Sequence, residues 1–364
     1  MKKLFLLMLI AIFLINLQSF ATIRRVGYSG PQLTGTDYAD VATAVTASAA
    51  NDTVQVYPNA TAYTLNSLSK TLVFIGVGYF LTQNTGLQLG TTETTLAINS
   101  ALTSGSSGST FEGFTLTGNY ADPSSSLGLL QNITFKRCKF NNSQYVWAGS
   151  TNDSVKNLTY SQCYFAANVQ FYAQGANSGF RNVYFNNCIF NDNSTIAYSA
   201  TGSGSGFANF VFYNCNFNGS TAYSGLPATT SLYFRNCIIN TEPASASNNL
   251  FDYCTFVTNN ATHYASGTGN QFGKTFVNIY TGGANAGSTS SQWDAGNKLV
   301  AGSPCIGFGR DYSNNVIDAG AYGSADPYRL SGIPPVPAFY QLTSSSTSAT
   351  SNPYQITFSV RANN

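Results

Sequence analysis

The sequence predicts an all-β protein, a right-handed parallel β-helix of roughly ten coils with a short helix capping its N-terminal end. A register of apolar residues repeats at intervals of 17 to 27 residues, and Asn, Gly, Ser and Thr fill the positions between. Only 8% of the residues are charged, whereas an ordinary domain has roughly 25%. Aromatic residues make up 14% of the chain, which argues against disorder.

Six cysteines mark the repeat. An aromatic residue stands three positions before each of them, and an apolar residue stands two positions after. Apolar residues alternate on both sides of a polar pair, such as Lys136-Arg137 or Asn186-Asn187, which predicts two short strands joined by a tight corner. The cysteines are Cys138, Cys163, Cys188, Cys215, Cys237 and Cys254, at intervals of 25, 25, 27, 22 and 17.

The repeat assigns the cysteines an architectural role. One unit upstream, Phe114 stands in the cysteine column, so the column requires an apolar side chain rather than a thiol. Stacked residues lie about 4.8 Å apart, beyond the usual Cβ separation of a disulfide, and a line of thiols cannot converge on zinc. His263 is the only histidine. We therefore predict no metal site.

A second column contains asparagine. Asn132, Asn157, Asn182 and Asn209 stand six positions before the first four cysteines. Asparagine tolerates the left-handed backbone conformation, and its amide can bond to its counterpart in the next coil. This column predicts a ladder of side-chain amides.

Three further segments resemble secreted bacterial right-handed β-helix proteins of the pectate-lyase-like superfamily. Residues 37–63 look like a capping helix and first strand, and "KTLVFIGVGYFLTQNTG" (70–86) looks like an early coil. Residues 301–323, "AGSPCIGFGRDYSNNVIDAGAYG", resemble a closing coil. The resemblance implies the fold, whereas activity must be argued from a site.

Catalysis is disfavoured by the carboxylates. The resemblance implies that a lyase would bind calcium through clustered Asp and Glu, with a Lys or Arg as base, and glycosidases need carboxylate pairs. The chain has only 14 acidic residues, and none recurs in one column of the repeat. Calcium is therefore expected only if the protein is a lyase, and otherwise no cofactor is expected. Arg235 and Asp252, each two before a cysteine, are expected to form a surface ion pair.

The chain divides into three predicted parts. Residues 1–21 have the basic start, apolar stretch and small-residue cleavage site of a signal peptide, with cleavage after Ala21. Residues 22–327 form the β-helix, and residues 328–364 form a Pro/Ser/Thr-rich tail that packs on it or caps it. We expect a secreted or cell-surface monomer with no transmembrane segment after signal removal. Loss of Lys2 and Lys3 leaves 14 basic and 14 acidic residues, which disfavours nucleic-acid binding.

Candidate ligand-binding residues lie seven to nine positions after the cysteines, in a third strand-like segment. If Val146, Phe171, Ile196 and Tyr223 point inward, the neighbouring side chains point outward and meet on adjacent coils. Flat aromatics beside amides suit stacking on sugar rings. These outward residues are Tyr145, Trp147, Gln170 and Tyr172.

Two stacked cations are a further candidate. Lys156 and Arg181 each stand seven positions before a cysteine, where they could meet an anionic sugar or form a solvated corner. The leading interpretation is a non-catalytic exported or surface protein that binds glycans or other surface polymers. The alternatives are a polysaccharide lyase or glycoside hydrolase, and a structural, adhesin-like repeat without a site.

Overall fold

The chain folds into a right-handed parallel β-helix, as the sequence predicts. Residues 1–20 of the predicted signal peptide and His263 lie outside the part of the chain that is described. The computed structural model describes residues 21–99, 101–119, 128–148, 152–200, 206–219, 223–224, 232–241, 249–258, 267–286, 294–344 and 356–361.

Three parallel sheets form the walls of the β-helix. The first sheet has twelve strands within the described residues, and all its pairings are parallel. Leu129–Gln131 pairs beside its main path, with Ser154–Ser161. In spatial order the path is Asp37–Tyr38, Ile23–Val26, Thr53–Val56, Val73–Ile75, Thr110–Glu112, Thr134–Lys136, Ser154–Ser161, Gly179–Asn186, Gly206–Tyr213, Leu232–Arg235 and Leu250–Asp252.

The second and third sheets complete each coil. Within the described parts of the chain, the second sheet has nine strands and the path of the first has eleven, which agrees with the roughly ten coils expected. The second sheet contains Tyr63–Leu65, Thr95–Ile98, Thr115–Thr117, Lys139–Phe140, Tyr164–Phe165, Ile189–Phe190, Asn216–Phe217, Ile238–Ile239 and Thr255–Phe256. The third sheet contains Gln144–Ala148, Val169–Ala173, Ile196–Ala200 and Tyr223–Ser224.

Short helices and two hairpins surround the coils. The hairpins pair Gly309–Arg310 with Val316–Ile317 and Ala338–Ser344 with Ile356–Arg361. The α-helices are Val41–Ala47 and Phe276–Ile279, and the 3₁₀ helices are Ser104–Ser106, Gly283–Asn285, Asp294–Asn297 and Leu330–Gly332.

The capping helix, Val41–Ala47, lies within the segment expected to form it. Asp40 begins the helix, because its carboxylate accepts the Thr43 amide at 2.8 Å. At the other end, Lys70 Nζ donates to the carbonyls of Val45 at 3.1 Å and Ser48 at 2.8 Å. A cation at a helix C-terminus satisfies unpaired carbonyls and complements the helix dipole.

The strands pair in the register that the alignment of the sequence repeats predicts. Phe135 pairs with Tyr160 in the first sheet, and Phe140 pairs with Phe165 in the second. The rings of the first column stack from coil to coil, for example Tyr160 on Phe185 at 4.7 Å between centroids. Phe114 is fully buried in the cysteine column, as predicted. The core is therefore a set of ladders of like residues.

The cysteines line this core as free thiols. All seven are buried, and Cys138 Sγ lies 3.4 Å from the Phe111 carbonyl of the preceding coil. Burial raises the pKa of the Cys138 thiol to about 12. Buried thiols of this kind behave as small apolar groups, which agrees with the architectural role predicted for the column.

The asparagine ladder is confirmed. Asn132, Asn157, Asn182 and Asn209 all have φ between 55° and 59°. The side-chain amides of Asn157, Asn182 and Asn209 each donate to the side-chain carbonyl oxygen of the asparagine one coil earlier, with N···O distances of 2.8–3.0 Å. The asparagines bend each long first-sheet strand at the same position, so the strands stay in register.

A second polar column lies at the tight corner between the first and second sheets. We call it the corner column; it consists of the residues immediately before five cysteines, and all have φ between 52° and 56°. Its side chains point away from the core and are themselves buried. The members are Arg137, Gln162, Asn187, Asn214 and Asn236.

The corner column holds the C-terminal part of the chain. Residues 309–333, which we call the strap, run back along the corner from the late coils toward the early ones. Each corner side chain donates to at least one strap carbonyl. These bonds are Asn236 to Arg310 (3.0 Å), Asn214 to Asp318 (2.9 Å) and Gly320 (3.0 Å), Asn187 to Ala321 (2.9 Å) and Gly323 (2.8 Å), Gln162 to Asp326 (3.2 Å), and Arg137 to Ile333 (3.1 Å).

The resemblance predicts that residues 301–323 form a closing coil. The position of the strap corrects this prediction for residues 309–323. That segment does not close a last coil but lies against the corner of earlier coils. The left-handed corner turns amide donors outward, and these donors satisfy backbone carbonyls that would otherwise be buried without partners. The division at residue 327 stays a prediction. Tyr328 and Ile333 are nevertheless buried against the coils.

Covering segments also bury the outer face of the second sheet. Tyr164 and Ile189 point outward from it and pack with Phe80 and Tyr328. Further along, Ile238 packs on Tyr280 and its neighbours. From Lys139–Phe140 to Thr255–Phe256 the second sheet is therefore buried on both faces, and the outer faces of the first and third sheets remain for contact with a ligand.

Candidate functional site

The outer face of the third sheet carries the predicted aromatic group. Gln144–Ala148 and Val169–Ala173 pair in parallel, placing Tyr145 opposite Gln170 and Trp147 opposite Tyr172. The side chains between them, including Val146 and Phe171, are buried in the core as expected. The alternation of inward and outward residues therefore brings the four candidates together on one face, which we call the aromatic shelf.

The rings of the shelf stack on one another. The centroids of Trp147 and Tyr172 lie 4.2 Å apart with an interplanar angle of 12°, and those of Tyr145 and Tyr172 lie 6.0 Å apart at 20°. Nearly parallel rings on adjacent coils direct their faces along the helix axis and their edges toward solvent. Trp147 also packs partly against the core. A ligand ring therefore meets a free face only at an end of this stack.

The next coil continues the sheet without a ring. Gln170 pairs with Ala197, and Tyr172 pairs with Ser199. Among the described residues, small side chains at both positions leave the aromatic stack without a third member, although coils follow one another at about 4.8 Å. A flat ligand about one ring thick can take this position over the Tyr172 face. The sequence pattern groups the rings correctly but does not identify this gap. The sequence signal for the gap is the small size of Ala197 and Ser199.

The polar groups of the shelf are ordered by one another. The Tyr172 hydroxyl donates a hydrogen bond to Gln170 Oε1. This bond fixes the amide so that its Nε2 group is directed away from the phenol. Partial burial, with a smaller contribution from Tyr145, raises the pKa of Tyr172, so the phenol is neutral at physiological pH. The shelf combines apolar ring surface with an amide donor.

The two candidate cations lie elsewhere. Lys156 pairs with Arg181 in the first sheet, so these side chains are neighbours on adjacent coils as predicted. Lys156 is half-buried and Arg181 is exposed. Within the described residues, neither forms an ion pair. They form a separate positive pair on a different sheet from the shelf.

Several acidic side chains join neighbouring segments of the fold through hydrogen bonds and ion pairs. Asp294 is fully buried and accepts the Asn84 amide at 2.7 Å and the Ser331 backbone amide at 2.7 Å, which joins an early loop to the strap. Glu93 pairs with Lys139 at 2.8 Å. Among the described residues, no group of three or more His, Cys, Asp and Glu side chains is placed to hold a metal ion.

The predicted cross-coil ion pair is present in the first sheet. Arg235 Nη1 lies 3.8 Å from Asp252 Oδ2. The same guanidinium donates to the strap carbonyls of Arg310 at 2.9 Å and Asp311 at 2.8 Å. The pair therefore fastens the beginning of the strap as well as joining two coils.

Neither a comparison with protein-family models nor a search of curated proteins finds a match for this chain. Across the residues described here, no helix is long and apolar enough to cross a membrane. A role for the shelf rests on its geometry.

Proposed function

We propose that the protein is an exported or cell-surface β-helix protein that binds glycan chains at the aromatic shelf without catalysis. The observation that carries this proposal is the Trp147–Tyr172 stack, which ends above the small residue Ser199. A pyranose ring can continue the stack in place of a third aromatic ring. Aromatic faces suit the apolar C–H face of a sugar, and the Gln170 amide suits its hydroxyl groups.

We also propose that the protein is exported with removal of its signal peptide after Ala21. We place it among pectate-lyase-like β-helix proteins. The three sequence segments that resemble those proteins support this placement. The neutral balance of charges expected after signal removal suits a binder of uncharged or mixed polymers rather than of nucleic acid.

Affinity-gel electrophoresis on xylan, glucomannan, mixed-linkage β-glucan, alginate and polygalacturonate tests the proposal. Tyr172→Ala should weaken binding roughly fivefold, because one ring contact contributes about 1 kcal/mol. Ser199→Phe should abolish it by filling the gap. Tyr57→Ala is the matched control, since it removes a half-buried ring from the Tyr28–Tyr57 pair on an early coil. Equal binding by Tyr172→Ala and Tyr57→Ala would contradict the proposal.

The lyase alternative has its own assay on the same polymers. Unsaturated uronic products, detected by ultraviolet absorbance with calcium or with chelator, would indicate an enzyme in place of a binder. The cation pair is tested by the double variant Lys156→Ala/Arg181→Ala. Loss of binding to alginate alone would assign an anionic ligand to that pair.

A further inference from the structure

A groove lies between the strap and the outer face of the first sheet. Its volume is about 370 Å³. One wall is formed by Ser161, Asn186 and Tyr213, which occupy the same outward position on three successive coils. At about 4.8 Å per coil, this wall extends roughly 10 Å along the helix axis. The strap forms the other wall, including Asp311 and Asp326.

The floor of the groove is rigid. Asn187 lines it and uses its amide nitrogen on the strap carbonyls of Ala321 and Gly323. Its amide oxygen accepts the Ser324 hydroxyl at 3.2 Å. Both walls are therefore tied to one buried side chain. The groove is a preformed feature of the fold, and a ligand need not order it on binding.

The first-sheet wall offers polar groups that the protein does not use. In the described part of the chain, the Ser161 hydroxyl and the Asn186 amide have no hydrogen-bond partner, and both residues are partly exposed to solvent. Asp311 differs, because its carboxylate accepts the backbone amides of Ser313 at 2.9 Å and Asn315 at 2.7 Å. The hydroxyl and the amide are free to bind a ligand.

The two ends of the groove differ in chemistry. At one end the Tyr213 ring is covered on one face by Tyr312, with centroids 5.1 Å apart at 17°. Tyr213 lines this end of the groove, whereas Tyr312 is not among the described residues that line it. At the opposite end, the exposed Asp326 carboxylate lies 3.9 Å from Lys136 Nζ. Of the described residues that line the groove, none carries a positive charge and two carry carboxylates.

We infer that this groove is a second glycan subsite, selective for neutral sugars. One pyranose ring stacks on Tyr213 and bonds to Asn186, and the next sugar residue of the chain bonds to Ser161 and Asp326. A uronate meets the carboxylates of Asp311 and Asp326, and the neighbouring Lys136 is already paired with Asp326, which disfavours acidic sugars. The inference rests on the proposed glycan binding but concerns a different face, because the groove lies on the first sheet and the shelf on the third.

Isothermal titration calorimetry with cellohexaose, xylohexaose, mannohexaose and hexagalacturonate tests the subsite. Asn186→Ala should lower the affinity for a bound neutral hexasaccharide roughly fivefold, since it removes about one hydrogen bond. Ser161→Ala should act in the same direction. Thr159→Ala is the matched control, because Thr159 lies on the same strand as Ser161 but does not line the groove.

The shelf variant Tyr172→Ala separates the two proposals. If Tyr172→Ala weakens binding and Asn186→Ala does not, the subsite is refuted while the shelf stands. If only Asn186→Ala weakens binding, the groove stands and the shelf does not. Failure of all four hexasaccharides to bind the unaltered protein contradicts both. Binding of hexagalacturonate that is equal to that of the neutral sugars and sensitive to Asn186→Ala refutes the neutral selectivity.

Discussion

Replacing Asn187 by alanine tests how the strap is held. Asn187 is buried, has φ of 53°, donates to two strap carbonyls and accepts the Ser324 hydroxyl. Loss of these bonds costs about 3 kcal/mol in total at about 1 kcal/mol each. We therefore expect Asn187→Ala to lower the local opening free energy of the strap by about 3 kcal/mol.

Hydrogen exchange measured by mass spectrometry gives this free energy locally. Amides of the strap, such as those of Ala321 and Gly323, should exchange about 10²- to 10³-fold faster in Asn187→Ala. Asn187→Gly should accelerate exchange to a similar extent, because it loses the same side-chain hydrogen bonds. Global denaturation is less informative, since stacked coils need not unfold as one unit.

Asn182→Ala is the matched control for this experiment. Asn182 lies five residues earlier in the same coil and also has positive φ, but its amide bonds to the asparagine ladder and not to the strap. It should leave strap exchange unchanged. Equal strap exchange in Asn187→Ala and Asn182→Ala would refute the role of the corner column.

Two further predictions concern buried ionisable groups. All seven thiols are buried, and burial raises the pKa of Cys138 to about 12 and that of Cys305 to about 11. Ellman's reagent at mildly alkaline pH should therefore label no thiol in the native protein and all seven after denaturation. Rapid labelling of the native protein would contradict the buried position of the cysteines. Burial also raises the pKa of Asp294 in the folded state above its ordinary value near 4. Between these two pKa values the folded protein holds a proton on Asp294 that the unfolded chain has lost. The free energy of unfolding therefore falls as pH rises through that interval. Urea denaturation at stepped pH should show a flatter dependence for Asp294→Asn, and identical slopes would exclude this linkage.

The repeat fold was predictable because every coil repeats the same local constraints. Aromatic and cysteine columns set the strand register, and asparagine at positive φ sets the bends. Each signal recurs at a fixed distance from a cysteine, so a single sequence contains several copies of the evidence. The capping helix was also predictable, since Asp40 lies directly before its apolar residues.

The strap was not predictable from the repeat because it occurs once. Its contacts join residues about 75 to 200 positions apart, such as Asn236 with Arg310 and Arg137 with Ile333. The local signal was a polar pair at each corner, and that signal indicated a turn rather than the backbone that covers it. The groove was missed for the same reason, since one of its walls is the strap.

The candidate site was predictable in composition and not in orientation. Strand alternation placed Trp147 and Tyr172 side by side, as the register shows. Whether their faces point outward or along the axis depends on side-chain torsions, which the alternation does not determine. The stacked arrangement moves the predicted sugar contact from the outer edges of the rings to the open face beside Ser199.

The central claim is that a sugar ring continues the aromatic stack over Tyr172. The most direct measurement is glycan affinity of Ser199→Phe beside Ser199→Ala in the panel of polysaccharide gels. We expect Ser199→Phe to lose binding because the new ring occupies the gap, while Ser199→Ala, which keeps the gap open, binds as the unaltered protein does. Retained binding by Ser199→Phe would contradict the claim.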